Sequence, residues 1–563
     1  MQEINFSALG GLEENGKNFY LLKIKSSYFI LDTGLKYPNM ATIHGIDSVI
    51  PEYTRLDTIR DKIKGIFITS VLDTHAEALP YLIDYFKVPI YSSDFGIEVL
   101  KITLKKYNNM INLEKIDFKS IRVYPQVKIE DITISFFSLA HFLPETFGVV
   151  FDTLQNSIVY IGEMYFLQPK NKHFQTNFNH LVKLTHKRKV LALIAASQGA
   201  FTMNKQNQEE ILEYNLSSYF ASIENNIIIS FLIPDLLKIQ LVIDLAIEFN
   251  LKIAILGRKS EQIIEVALQK SYLKIPKGFL VNLKQPKDYL KYKNLIVIVV
   301  GKRFEPFYRL QRMCKCTDRL MALHPKDKIL LLSIGIAGID KIQTRTLDLL
   351  ARNGFVVDIL IKDLFTASYN YEENFKLLLH LLDPCFLLPV AGEYRHQHQI
   401  KKIAKNFNFP EENIFMLENG DNWIYDFKNK PIIRKHFFKN LSEILIDGTP
   451  VLEGNNYILK DRELLANDGI IIVACNIDLK NKKISGNIEL ISKGFLEQTK
   501  IIPILTQLKT LFLEISNDFL NKNKQFNKWN DFKSSLRENL PKFIFKETKK
   551  KPIIIPVLIL INN

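Results

Sequence analysis

Cysteine is scarce. The chain has four in 563 residues, Cys314, Cys316, Cys385 and Cys475. Four scattered thiols make no disulfide framework, which excludes a stapled secreted scaffold and points to a reducing cytoplasm. The C-x-C pair in "MCKC" has no second pair at zinc spacing, so these read as ordinary thiols. Long apolar runs are also missing. The longest, "PIIIPVLILI" near the C-terminus, is too short and too proline-broken to cross a bilayer, so it is expected to be a strand, and no membrane association is expected. The opening "MQEINFSALGG" has no basic region followed by an apolar run, so no signal peptide is expected. Internal repeats are absent. With 47% hydrophobic and 24% charged residues, long disordered tracts are excluded.

What is present is length, positive charge and alternating strand and helix patterns. A chain of 563 residues exceeds one hydrophobic core and implies about three domains. The formal net charge of +14 suits a polyanionic partner such as RNA, DNA or anionic lipid. A Lys- and Asn-rich genome would give the same excess, and both readings stand at this point. "FYLLKIKSSYFILDTG" reads as two paired strands around "KSS". "KGIFITS", "HAEALPYLIDYF", "VPIYSS" and "FGIEVLKITLKKY" then read as strand, helix, strand, helix. From "NIIISFL" through "KIAILG", "NLIVIVVG" and "DKILLLSIG", strands alternate with helices at short intervals, as in parallel α/β sheets. The last 120 or so residues change character. "NYILKDRELLANDGIIIVACNID" and "KISGNIELISKGF" look strand-like, a long amphipathic segment, "ILTQLKTLFLEISNDFLN", follows, and the whole reads as a small separate α+β domain.

The segment "GIFITSVLDTHAEALPYL", Gly65 to Leu82, poses the chemical question. An apolar strand runs into a short polar turn carrying Asp73 and His75, and then into a helix. Metal hydrolases often present ligands in this way, yet this turn has few donors. Asp73 reads as a turn carboxylate, and His75 as either a packed histidine or a ligand.

Taken together, the motifs resemble the ribonuclease J family. "ALGGLEENGKN", "DTGLKYP", "GIDSVIPEYT", "HFLPETFGVVFDT", "SIVYIGEMYF", "LLDPCFLLPVAGEYRHQ", "LKDRELLANDGIIIV" and "ETKKKPIIIPVLI" follow the family's landmarks in order along nearly the whole chain. The resemblance implies a metallo-β-lactamase αβ/βα sandwich with an inserted β-CASP domain and a small C-terminal α+β domain. The expected boundaries are 1–208 and 364–440 for the sandwich, 209–363 for the insertion and 441–563 for the last domain. Active members are similar to 5′-to-3′ exoribonucleases that also cut internally, acting in rRNA processing and mRNA decay.

The family's metal loop resembles T-H-x-H-x-D-H, whose imidazoles and carboxylate hold two zinc ions that activate a water. Laid on that pattern, the first two His are Ser70 and Leu72, the Asp is Thr74, and only His75 remains. The later His before a Pro is kept as His141. The bridging Asp is Glu163, whose extra methylene exceeds the tolerance of about 0.5 Å in a preorganised site. The His of His-Gly-Glu-Tyr is Ala391. The family's H-V-S-G-H-G segment corresponds to Phe365, Thr366, Ala367, Ser368, Tyr369 and Asn370, both of its histidines have become aromatic, and the resemblance implies nucleic-acid binding at Phe365 to Tyr369. Of seven ligand positions, two keep His, one is conservatively changed and four have lost ligand chemistry.

Three more stretches bear on RNA. "VVGKRFEP" places Lys302 and Arg303 beside aromatics, which suits phosphate and base contacts or equally an exposed helix entrance. "LGRKSE" places Arg258 after a strand, where a loop can meet phosphate. "SIGIAGID" keeps Gly338 but has lost the prolines expected of the family. His396 and His398 lie two apart on a helix, point away from each other and are expected on the surface. The expectation is a cytoplasmic ribonuclease J-like pseudoenzyme that binds RNA and partners active ribonuclease J subunits, as a homo- or hetero-oligomer. No cofactor is expected on this reading. The alternative is an active nuclease with zinc in a reduced site, a single weakly held ion on His75, His141 and Glu163.

Overall fold

A computed structural model describes residues 3–38, 45–123, 125–153, 155–163, 169, 171–201, 208–257, 261–302, 304–332, 339–360, 371–439, 441–448, 451–452, 457–478, 483–496, 498–522 and 529–561. The chain divides into two compact units, 1–37 with 48–449 and 38–47 with 450–563.

The first unit is built on two facing sheets. One has eight strands in the order Ile432–Arg434, Asn422–Tyr425, Ile4–Gly10, Phe19–Ile24, Ser27–Leu31, Ile63–Phe67, Ile90–Ser92 and Phe118–Ser120. The other has six, in the order Phe386–Val390, Lys189–Ala196, Asn156–Ile161, Phe147–Asp152, Ile132–Ser138 and Gln126–Ile129. Phe19–Ile24 and Ser27–Leu31 pair antiparallel, Ile24 opposite Ser27, with Lys25 left-handed at φ 57°. That is the hairpin the "KSS" break predicts. Phe6, Tyr20, Phe29 and Phe67 of one sheet meet Phe136, Val149, Phe151 and Tyr160 of the other in one buried cluster. Helices Phe178–Thr185, Tyr371–Leu382 and Tyr394–Asn406 cover the outer face of the six-stranded sheet through Leu181, Phe375, Leu379 and Ile400. This is the sandwich that the family resemblance implies.

Within the same unit, Ile253–Leu256, Ile296–Val300, Ile227–Phe231, Lys328–Leu331 and Val357–Ile359 form an all-parallel sheet in that spatial order. Its central strands, "IIISF" and "IVIVV", are buried throughout. Apolar residues at every position suit a sheet covered on both faces. Alternation sends Ile227, Ile229 and Phe231 into one core and Ile228 into another. The first of these cores also takes in Val71, Phe142 and Leu143 from the sandwich loops, so the inserted sheet packs directly onto the loops that carry the candidate site.

In the second unit, Lys483–Lys493, Ile470–Asp478 and Ile553–Ile561 form a three-stranded sheet, the last strand parallel to the middle one. Helices Gln498–Lys522 and Trp529–Thr548 supply Leu508, Phe512, Phe532 and Leu536 to its core. The apolar C-terminal run is therefore a strand, as read from the sequence, and the amphipathic segment is a helix. Two readings are corrected. Tyr457–Asp468, expected as strand, is a helix. Its Leu, Lys, Arg, Glu and Ala content favours helix. Gly469, at φ 75°, ends it, with its amide donating to the Leu465 carbonyl at 3.2 Å. "HAEALPYLIDYF" is also corrected, because it holds two short helical turns, Asp73–Ala76 and Leu79–Leu82, rather than one helix. Pro80 sits in the first turn of the second, where its ring is tolerated.

Candidate functional site

The loop from Thr69 to His75 follows strand Ile63–Phe67 and is fixed by backbone bonds to the segment after strand Ser27–Leu31. Thr33 N donates to His75 O at 2.6 Å, and Leu35 N donates to Asp73 O at 2.9 Å. The Asn18 amide donates to Thr74 O at 3.1 Å. Gly34 sits where a Cβ would lie 1.6 Å from the Thr74 carbonyl oxygen, so the seam needs a residue without a side chain at that point.

His75 is fully buried. Its Nε2 lies 3.2 Å from the Gly162 carbonyl and 3.2 Å from the Asn18 side-chain amide. Its Nδ1 lies 2.9 Å from the Thr74 hydroxyl. A carbonyl only accepts, so Nε2 carries the proton and Nδ1 accepts from Thr74. Glu163 Oε1 is 3.6 Å and Asp32 Oδ2 3.9 Å from the same Nε2. Burial raises the Glu163 carboxyl to about 7, with His75 opposing the rise and Asp32 adding to it. Burial likewise raises Asp32, against the pull of His75, the Tyr160 hydroxyl and Thr69. Asp32 accepts from the Thr69 amide at 2.8 Å and the Thr69 hydroxyl at 2.9 Å, and also from Tyr160. Burial pushes the Tyr20 and Tyr160 phenols well up, so both stay protonated donors.

His141 is also fully buried and stacks on Phe142 with ring centroids 4.0 Å apart. Its Nδ1 accepts from the Leu143 amide at 3.0 Å. Burial, and then the nearby His75, hold its pKa well below the ordinary histidine value. A neutral ring accepting at Nδ1 carries its proton on Nε2.

The positions expected to have lost ligand chemistry have settled into the fabric of the protein. The Ser70 hydroxyl accepts from the Leu72 amide at 3.4 Å. The Leu72 side chain packs against the apolar core that the insertion shares with Val71 and Phe142. The Ala391 amide donates to the Tyr20 hydroxyl at 3.1 Å, and its carbonyl accepts from the Ser197 hydroxyl at 2.6 Å. Among the described residues, no group of three or more His, Cys, Asp or Glu side chains is arranged to hold a metal ion.

Asp73 is more than a turn carboxylate. Its side chain receives the Tyr37 hydroxyl and the Lys302 ammonium, and Lys302 also reaches Glu77. Burial works against the Lys302 charge, but Asp73 and Glu77 outweigh it and hold the ammonium well above its ordinary range. The Lys302 amine therefore ties the insertion to the candidate loop, with 15% of its side chain exposed. Phe365, Thr366, Ala367, Ser368, Tyr369, Arg258 and Arg303, together with "SIGIAG", lie outside the described residues.

His396 corrects a surface expectation. It is 9% exposed, its Nδ1 accepts from the Glu393 amide at 3.1 Å, and it forms a capping box at the start of its helix. Being third in that helix, it folds back over the helix start, which spacing from His398 does not reveal. His398 is exposed.

Asp32, Asn18, Tyr20, Thr69 and Tyr160 complete the polar cluster and were not singled out by motif. The one available signal was an Asp closing the apolar run "SYFIL", a position where burial demands partners.

A family model described as "Ribonuclease J, beta-CASP domain" matches residues 224–350. A second, "Ribonuclease J C-terminal domain", matches residues 457–561. The protein named Ribonuclease J 2 of Staphylococcus aureus (strain NCTC 8325 / PS 47) is 29% identical over 557 residues, covering 99% of this chain and 98% of its own length. That of Staphylococcus epidermidis (strain ATCC 12228 / FDA PCI 1200) matches with the same identity and coverage, 29% over 557 residues. A solved structure of a protein of unknown function from Enterococcus faecalis V583 is 11% identical with a TM-score of 0.49, covering 75% of this chain and 100% of that one, a likeness too slight to carry an argument. Family models over the insertion and the C-terminal region, with relatives aligned end to end, lead to one conclusion: the chain belongs to the ribonuclease J family, whose members are RNA-processing nucleases.

Proposed function

We propose that this chain is an RNA-binding member of the family whose own dinuclear zinc chemistry is gone, and that it works beside active ribonuclease J subunits in the cytoplasm. The observation that carries the reading is the state of His75, with both ring nitrogens spent on protein atoms, Thr74 on one side and Gly162 on the other. A zinc ligand needs a free ring lone pair directed at the metal. The remaining positions do not fit the metal pair either. Leucine at 72 and alanine at 391 offer no donor atom, and Ser70 and Thr74 are neutral hydroxyls already in hydrogen bonds. The His141 lone pair is engaged by the Leu143 amide. We infer domain boundaries of about 1–208 with 364–440, 209–363, and 441–563, since ends read from sequence are good to a few residues.

The test is metal content of the purified protein together with degradation of a 5′-monophosphorylated RNA in the presence and absence of chelator. The reading expects no stoichiometric zinc and no chelator-sensitive decay. Two zinc ions per chain with metal-dependent degradation would overturn it. A second reading, a reduced single-ion nuclease, is favoured by one observation: Asp32 and Glu163 both lie within 3.9 Å of His75 Nε2. His141→Ala decides between them, because it abolishes activity in a reduced enzyme and leaves RNA binding intact in a binding subunit. Pull-down from the native cell, followed by identification of companion chains carrying the full metal loop, tests the partnership.

A further inference from the structure

Away from the candidate site, the inserted sheet carries a groove of ≈ 1440 Å³. Its floor is the edge of the parallel sheet, Leu256, Val281 and Val299, all buried. One wall is helix Glu261–Gln269, and the other is helix Glu305–Cys314 with the turn after it. Within the second helix, Phe307, Leu310 and Met313 enter the core. The spacing of 3 to 4 residues then puts Tyr308, Arg309, Arg312 and Lys315 on the groove side.

Its charged lining holds five cations, Lys284, Arg309, Arg312, Lys315 and Arg319, against three carboxylates, Glu265, Glu305 and Asp318. Glu265 accepts from the Gln269 side-chain amide at 3.3 Å. Asp318 meets both Arg309 and Arg312, at 3.4 and 3.6 Å. Glu305 accepts from the Lys302 amide at 3.4 Å, which spends it on its own helix start. Lys284, Lys315 and Arg319 line the same groove, are exposed, and have no acidic partner among the described residues. Tyr308, 40% exposed, stands at the rim edge-on to Phe304 at 5.6 Å.

We infer that this groove binds a short run of single-stranded RNA, independently of the metal-loop cleft; the inference rests on the RNA-binding reading above. Its size argues for a polymer, because small-molecule sites span about 300–1,000 Å³. An apolar floor with an exposed tyrosine suits stacked bases, and a row of unpaired cations suits the phosphates that link them. The planar guanidinium of Arg319, which has no acidic partner among the described residues, also matches phosphate geometry.

The test uses the full chain and a fluorescein-labelled single-stranded RNA of about ten nucleotides, the span of one or two such grooves, with anisotropy read across a salt series. The groove variant is Lys284→Glu with Lys315→Glu and Arg319→Glu. The control, with the same change in net charge, is Lys341→Glu with Arg345→Glu and Arg352→Glu, all exposed on helix Asp340–Arg352 of the same insertion. The inference expects the groove variant to lose at least ~10-fold in affinity and the slope of log K against log salt to flatten by about 2, as three phosphate contacts are lost. The control keeps both. Tyr308→Ala weakens binding by ~10-fold with the salt slope unchanged, since it removes stacking and not charge. Equal losses in groove and control variants, or no loss in either while the wild type binds, overturn the groove and leave RNA binding itself intact. Displacement of the RNA by polyglutamate at equal charge also overturns it, since any acidic polymer would then serve. A wild-type chain with no RNA affinity at low salt defeats the underlying reading instead.

Discussion

Glu163 gives the sharpest test of whether the candidate site has lost its metals. Its carboxyl is raised by burial from 4.5 to about 7, so between those values the folded chain holds a proton that the unfolded chain has released. Stability conferred by this group is complete below pH 4.5 and is lost as pH rises through 7. At about 1.4 kcal/mol per tenfold change in proton affinity, the loss amounts to about 3 kcal/mol. His141 works the other way. Its pKa is depressed by burial, so its contribution improves as pH rises toward the ordinary histidine value. The informative quantity is therefore the difference between the wild type and Glu163→Gln, an amide that stays neutral throughout.

The chain has two tryptophans, Trp423 and Trp529. Trp423 lies 1% exposed in the core between the two sandwich sheets. In a Trp529→Phe background its fluorescence reports unfolding of the unit that holds Glu163. Urea titrations from about pH 5 to about pH 8 should give matching stabilities at the acid end and a Glu163→Gln advantage of up to about 3 kcal/mol at the alkaline end. If Glu163 instead bridged metal ions, its carboxylate form would be the stabilising one. Glu163→Gln would then be the weaker protein at pH 8, and chelator would erase the difference. That outcome refutes the reasoning.

Three further outcomes follow from the same geometry. Lys302→Met removes the cation that Asp73 and Glu77 share, 17% and 28% exposed, and should lower stability by about 2 kcal/mol, less than a fully buried pair loses; urea midpoints measure it, and an unchanged midpoint would mean the pair contributes nothing. Gly34→Ala drives a methyl group into the Thr74 carbonyl and should yield little soluble protein, or protein with a displaced loop, by near-ultraviolet dichroism. Zinc should leave the melting temperature flat, because a ligand at 100 times its Kd would add about 2.7 kcal/mol; a rise that His141→Ala abolishes would restore the reduced-enzyme reading.

The sequence makes some of this structure legible and hides the rest for identifiable reasons. The hairpin from Phe19 to Leu31 and the buried runs "IIISF" and "IVIVV" are written in local periodicity, so they read directly. Tyr457–Asp468 does not, because its apolar residues fit either period and only the helix-forming character of its polar residues and the glycine that ends it decide. Ser70, Leu72, Thr74 and Ala391 stand at positions where the family resemblance leads one to expect donors, and that expectation comes from the sequence alone. What holds those stretches of chain does not. Lys302 and Asp73 are 229 positions apart, and nothing near either residue announces the other. A lysine flanked by arginine and phenylalanine looks like a phosphate contact until its carboxylate partners are placed. Asp32 was hidden for a related reason, since its partners, Thr69 and Tyr160, lie on two other strand ends.

The replacement explains how the loop keeps its shape. In a dinuclear hydrolase the metals cross-link the loops that supply their ligands, so bare loss of donors would leave those loops poorly held and several polar groups buried without partners. On the reading proposed above, the residues at or beside three of the lost positions hold the same stretches of chain. Leu72 adds an apolar contact to the core shared with the insertion. Thr74 fixes the His75 ring. Tyr20 bonds the Ala391 amide, and Asp73 with Lys302 ties the insertion down. Below about pH 7 a protonated Glu163 beside Asp32 removes a like-charge repulsion that two ionised carboxylates would suffer in a buried site. Restoring histidine at one position would therefore not restore a ligand. An imidazole at 72 would enter an apolar core, and His75 would still be bound to Thr74 and Gly162. Recovery of a metal site requires dismantling this network as a whole, which is why single reversions should cost stability without gaining zinc.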